Sequence, residues 1–244
     1  MNHGADDGDV ARVGAALAAR RPASGVFIVG LTGSVASGKS TLAAALKTWF
    51  EAQGEPLGVE LASTDGFLFP NAELEARRLL PRKGYPESYD VESLRRMLAD
   101  VRAAPVTLPG YSHAIYDVDP SLARRIDPPG VLIVEGLGLH HAWAGPPLID
   151  CLVYLDAAEA DLEAWYVERF TQFWAAAEHD PSSFYARFRA MDEPALRAFA
   201  ADVVWRRMNL PNLRENVILA RDLADIAVRK GPRHEITAVE TRGR

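Results

Sequence analysis

Gly33-Ser34-Val35-Ala36-Ser37-Gly38-Lys39-Ser40 decides the fold. It fits the spacing G-x-x-x-x-G-K-[ST] at every fixed position. Chance produces that spacing in on the order of a few per cent of chains this long. Its surroundings sharpen it. The apolar run Val26-Phe27-Ile28-Val29-Gly30-Leu31 precedes it and reads as a strand buried on both faces. Ser40-Thr41-Leu42-Ala43-Ala44-Ala45-Leu46 follows with a helical pattern. A strand, a glycine turn and a helix in that order aim backbone N–H groups and a positive helix end at one anion. Gly33, Ser34, Val35, Ala36, Ser37, Gly38, Lys39, Ser40 and Thr41 are therefore expected to hold a nucleotide's phosphates. Lys39 would reach the β- and γ-phosphates and Ser40 would ligate Mg²⁺.

Working outward, two carboxylates fall where strands end. Asp65 follows an expected strand at Leu57–Ala62, and Glu135 follows the run Val131-Leu132-Ile133-Val134. Ligands of open α/β sheets sit at the carboxyl ends of strands, so both acids should face the loop. Phosphoryl transfer needs an acceptor for a hydroxyl proton and oxygen ligands for a metal. Asp65 is read as general base and Glu135 as a metal ligand; an ordinary Asp-Gly turn and a structural hydrogen bond are the alternatives. No Asn-Lys-x-Asp or Thr-Lys-x-Asp run exists, so guanine readout has no support.

Composition excludes much else. The chain has 244 residues, 48% hydrophobic and 25% charged, with a formal net charge of −6. It is too apolar to be disordered and long enough to bury a core without staples. The acidic balance gives no reason to bind nucleic acid. The single cysteine, Cys151, excludes a disulfide framework and reads as a buried strand residue. No apolar stretch approaches a membrane span, and the acidic start lacks the pattern of a secretory signal. A cytoplasmic compartment and no membrane partner are expected.

Strands alternating with helices predict an α/β fold: a phosphate-loop, mostly parallel sheet flanked by helices, with a helical lid. Residues 1–24 read as a short N-terminal helix or arm, the helix at 9–20. Residues 25–244 read as a single domain, with 159–210 as its lid and acceptor-pocket region. Further helices are expected at 71–80, capped by Asn71, and at 91–102, capped by Asp90. Residues 81–90 and 105–130 are expected to be irregular. Asp180-Pro181 and Glu193-Pro194 are read as helix starts. Strands are expected near 151–155, 225–229 and 235–241. Trp165 and Trp174 are read as core. The basic cluster Arg77-Arg78 and Arg82-Lys83 is read as a solvated helix end, and His140-His141 as a surface pair.

Three further runs carry a resemblance: Thr64-Asp65-Gly66-Phe67-Leu68-Phe69-Pro70-Asn71, Lys83-Gly84-Tyr85-Pro86-Glu87-Ser88-Tyr89-Asp90, and Tyr111-Ser112-His113-Ala114-Ile115-Tyr116-Asp117. With Trp165-Tyr166-x-x-Arg169-Phe170 and Asn209-x-x-Asn212-Leu213-x-x-Asn216, they resemble bacterial type I pantothenate kinase, a P-loop kinase family related to uridine kinase and phosphoribulokinase. The resemblance runs from about residue 26 to the C-terminus. It implies ATP- and Mg²⁺-dependent phosphorylation of pantothenate, the first step of coenzyme A synthesis. It implies Asp65 as base, with Arg169 facing the transferring phosphate. Tyr111, His113 and Tyr116 would form a substrate loop, and Tyr166, Phe170, Phe173 and Asn209 would line the acceptor pocket. Lys230 and His234 would stand near the adenine. A homodimer is a candidate assembly.

Four features depart from the family. Most of its N-terminal extension is missing. Ala44 stands where it has Arg, which puts feedback by coenzyme A in doubt. Glu178 replaces an aromatic of the acyl pocket, and Gly138 replaces the Asn of a Glu-Gly-Leu-Asn run. Two rivals remain open at this point. One is a kinase of the same fold acting on a nucleoside, sugar or glycerate-like alcohol. The other is a nucleotide-binding regulator without catalysis, which would need neither base nor lid arginine.

Overall fold

The computed structural model describes residues 7–139 and 148–243. Six strands form the central sheet: β1 (Phe27–Gly33), β2 (Val59–Ser63), β7 (Val131–Gly136), β8 (Cys151–Asp156), β9 (Ile226–Lys230) and β10 (Ile236–Thr241). Their spatial order is β10-β9-β8-β1-β7-β2. All neighbours pair in parallel except β9 with β10. The continuous apolar runs explain this, because such strands need cover on both faces. Alternation sorts them. Ile28, Leu132 and Tyr154 enter a core cluster with α4 (Val91–Asp100). Phe27, Val29, Ile133 and Val153 enter a second cluster with α1 (Asp7–Ala18) and α2 (Lys39–Ala52). Cys151 lies fully buried in β8, as its apolar context implied.

The register decides where chemistry can occur. Leu31 and Ser63 both lie opposite Glu135, so the carboxyl ends of β1, β2 and β7 finish together. The loop after β1 and the turn carrying Asp65 share that edge. α2 opens at the loop without a side-chain cap or an acidic residue in its first turn. A missing cap costs about 1 kcal/mol. Burying Leu42, Leu46 and Phe50 contributes about 1.5–3 kcal/mol each, so packing holds the helix while its first N–H groups stay open to the cleft.

The helical layer rests on α5 (Glu159–Ala176) and α6 (Glu193–Phe199). α6 continues into a π-helical stretch, Ala200–Asn209, and a second follows at Leu213–Val217. Phe170, Tyr185, Leu196 and Ala200 give this layer its own core.

Several local expectations change. The helix expected at 71–80 is α3 (Asn71–Ala76), and Asn71 does not cap it. Pro70 precedes the helix, and the Asn71 amide turns away to donate to Tyr116 O at 2.9 Å. Residues 105–130 hold two small antiparallel ladders, β3 (Val106–Leu108) with β6 (Arg124–Ile126) and β4 (Tyr111–Ser112) with β5 (Asp117–Val118). Strands of two or three residues carry no readable period. Asp180-Pro181 opens a turn rather than a helix, because Asp180 accepts from Ser182 N and closes the chain locally. Asp90 and Asp192 do cap α4 and α6.

Candidate active site

Two clefts open along α5 and share a wall of Lys39, Ser40, Arg169 and Phe173. The larger, about 620 Å³, runs over the phosphate loop to the β9–β10 turn. The smaller, about 130 Å³, holds Asp65 and Glu135.

The loop itself is built for an anion. Gly38 has φ +88, and a Cβ there would lie 2.6 Å from Lys230 Nζ. Ala36 also takes a left-handed backbone at φ +59, a strained conformation of the kind that clusters at functional turns. Ser34 Oγ and Ser37 Oγ are buried without hydrogen-bond partners. Lys39 Nζ donates to Gly33 O at 3.1 Å and to Ser34 O at 2.7 Å. Desolvation lowers its pKa, while Glu135 and Asp65 push the other way. Lys230 Nζ donates to Ser37 O at 2.9 Å, and burial with the nearby Lys39 charge brings its pKa to about 8. Two poorly solvated ammonium groups and open helix N–H groups fit a polyphosphate. At the far end His234 stacks on Trp165 with ring centroids 3.8 Å apart. Trp165 is thus buried, as read, yet it also walls the larger cleft.

Ser40 Oγ donates to Glu135 Oε1 at 3.1 Å. Desolvation raises the Glu135 pKa against the pull of Lys39, so a cation would relieve the burial of its charge. No group of three acidic, histidine or cysteine side chains gathers as a metal site among the described residues. A hydroxyl, one or two carboxylates and phosphate oxygens are the donor set that Mg²⁺ prefers, and Ser40 with Glu135 fits it.

Asp65 is half-buried at the floor of the smaller cleft. Desolvation raises its pKa; Lys39, Arg169 and Lys83 pull it back. The β4–β5 hairpin presents Tyr111, His113 and Tyr116 to the same space. Arg169 Nη2 donates to His113 Nε2 at 3.3 Å, so that nitrogen accepts and the neutral ring carries its proton on Nδ1. His113 is exposed to solvent. Even so, desolvation and then the Arg169 charge bring its pKa down to about 4. Tyr166, Phe170, Phe173 and Asn209 complete the wall.

The structure therefore gathers every acceptor-side residue that the resemblance implied, and brings Lys230 and His234 to the larger cleft. Of the loop residues, Ala36, Gly38, Lys39, Ser40 and Thr41 line the larger cleft, and Val35, Lys39 and Ser40 line the smaller one. Glu178 is exposed and pairs with Arg189 at 3.8 Å, outside both clefts. Lys83 corrects the reading of a solvated helix end. It lines the smaller cleft, its Nζ donates to Asn71 Oδ1 and Tyr116 O at 2.6 Å each, and burial brings its pKa to about 8. Its neighbours in that cluster do stay outside: Arg77 pairs with Glu73, and Arg82 with Glu87. Tyr185 and Asn212 also line the cleft unforeseen. The Asn209-x-x-Asn212 spacing was the available signal for Asn212. His140-His141 lies outside the described residues.

Comparison with known proteins agrees with this geometry. The phosphoribulokinase/uridine kinase family model matches residues 28–170. A pantothenate kinase of Sorangium cellulosum is 44% identical over 231 residues, covering 91% of this chain and 73% of the relative. A pantothenate kinase of Xanthobacter autotrophicus is 43% identical over 228 residues, covering 88% of this chain and 70% of the relative. Among solved structures, a provisionally named fructose transport system kinase from Silicibacter sp. TM1040 superposes with a TM-score of 0.66. It is 28% identical and covers 88% of this chain and 94% of that one. Among the described residues, no helix is long and apolar enough to cross a membrane.

Proposed function

The chain belongs to the phosphoribulokinase/uridine kinase family, and within it we propose that this protein is a pantothenate kinase. It would move the γ-phosphoryl group of ATP to the primary hydroxyl of pantothenate. One observation carries the reading: the two clefts meet at Lys39 and Arg169, with Asp65 on the acceptor side.

ATP occupies the larger cleft, its phosphates on the loop N–H groups, Lys39 and Lys230, and its base beside the Trp165–His234 stack. Ser40 and Glu135 would hold Mg²⁺, which would neutralise charge on the phosphate oxygens. Pantothenate occupies the smaller cleft, where an aromatic wall with a few polar groups suits a partly apolar molecule bearing an amide and a carboxylate. Asp65 takes the hydroxyl proton as that oxygen bonds to the γ-phosphorus and the bond to the ADP oxygen breaks. Its raised pKa makes it a stronger base than an exposed aspartate. Lys39 and Arg169 stand on the shared wall, where charge spreads over the transferring group. Neutral His113 accepts from Arg169 and holds the guanidinium toward the acceptor.

The test is ADP release from ATP and Mg²⁺ with pantothenate, pantetheine, uridine or glycerate as acceptor. Pantothenate should give the highest kcat/KM. ADP formed only with uridine or glycerate, or equally with no acceptor, would sink the reading.

A further inference from the structure

The helical layer reaches into the acceptor cleft through two ties that touch none of the reacting groups. Tyr85 Oη donates to Met208 O at 3.1 Å, and Asn212 Nδ2 donates to Gly84 O at 2.8 Å across 128 residues of sequence. Asn212 is only 5% exposed, and its Oδ1 accepts from Asn216 Nδ2 at 2.9 Å. The Gly84 carbonyl can only accept, so the Asn212 nitrogen must face it, and Oδ1 is left for Asn216. Both asparagines follow the π-helical stretch Ala200–Asn209. An extra residue in such a turn re-aims the side chains beyond it.

The tie lands one residue beyond Lys83. Gly84 has φ +91, a backbone open to glycine, and this turn sends the Lys83 stem into the cleft. There the ammonium sits 4.3 Å from the Tyr116 ring centre and donates to Asn71 Oδ1 and Tyr116 O. Those bonds hold its tip. The four-carbon stem is flexible but of fixed length, so both bonds form together only when the backbone at Lys83 and Gly84 is anchored within its reach.

We propose that Asn212 is a positioning residue: by fixing the Gly84 carbonyl to the helical layer, it sets where the Lys83 ammonium stands beside Asp65 in the acceptor cleft. The proposal rests on the reading of that cleft given under Proposed function. Asn216 acts one step further out, by orienting the Asn212 amide.

Two measurements test it. The first is the rate at which an amine-reactive acetylating ester labels Lys83 in the folded protein, followed by mass spectrometry. Asn212→Ala should label Lys83 several-fold faster, with Lys47 unchanged. An unchanged Lys83 rate overturns the proposal, whatever the enzyme phosphorylates. The second is a double-mutant cycle on the pantothenate KM. Asn212→Ala should raise it ~10-fold, as expected for one lost hydrogen bond, and leave the ATP KM within about 2-fold. In a Lys83→Met background the same substitution should add nothing, because it acts through Lys83. An equal rise in both backgrounds, or an equal rise in the ATP KM, identifies a purely structural role and overturns the proposal. If Asn212→Ala does not fold, Asn216→Ala carries both measurements, with smaller effects in the same direction and the same overturning results. A wild-type protein inert toward pantothenate defeats the functional reading while the labelling result still decides this one.

Discussion

The two clefts on either side of α5 are built in different ways. The nucleotide cleft draws mostly on one short stretch, Ala36 and Gly38 to Leu42, with contributions from α5 and the β9–β10 turn. Much of it is backbone, and backbone N–H groups do the same work under many side chains. The acceptor cleft is assembled from side chains of the β2 turn, the Lys83 segment, the β4–β5 hairpin, β7, α5 and the helical layer. Each segment meets the others only in the folded state. Single changes on the nucleotide side should therefore weaken ATP binding alone, while those on the acceptor side should cost selectivity or rate.

Asp65→Asn breaks the comparison most severely. It belongs to the acceptor cleft alone, so kcat should fall ~10²-fold or more while ATP binding stays near wild type. Steady-state rates beside a titration with ADP decide it; an unaffected rate removes Asp65 from the role of base. Trp165→Ala tests the opposite side. Loss of the stack with His234 should raise the ATP KM about 5-fold and leave the pantothenate KM unchanged. A matching rise in both would show that the clefts are not separable.

The smallest effect is in the pH profiles. Asp65 must be ionised to accept a proton, and its pKa is raised, so kcat/KM should fall as pH drops through a value above the ordinary aspartate range. Lys83 and Lys230 each have a pKa lowered to about 8, so each loses its charge as pH rises through that value. The alkaline decline in kcat/KM for pantothenate should flatten in Lys83→Met, and that for ATP in Lys230→Met. Flattening of both by either substitution would contradict the division between clefts.

That division also explains what could be read from sequence. The phosphate loop is local, so eight consecutive residues reveal it. Asp65 and Glu135 are legible because strand ends converge in a parallel sheet. His113, Tyr166 and Asn209 became legible only through family resemblance, since nothing local marks them. The roles of Lys83 and Asn71 are not legible in sequence because their partners are remote. Lys83 Nζ reaches Tyr116 O across 33 residues, and Asn71 Nδ2 reaches it across 45. A cation beside a helix end looks solvated until the chain that covers it is known. The π-helical stretch at Ala200–Asn209 also escaped, because a one-residue shift in hydrogen bonding barely alters a helical apolar pattern.

The most direct test of the account is to identify both products of one reaction. The protein is mixed with ATP, Mg²⁺ and pantothenate, and ADP and phosphopantothenate are quantified together by mass spectrometry. Direct transfer across the shared wall predicts one phosphopantothenate for each ADP, with almost no ADP when pantothenate is omitted. ADP accumulating without phosphopantothenate would contradict it.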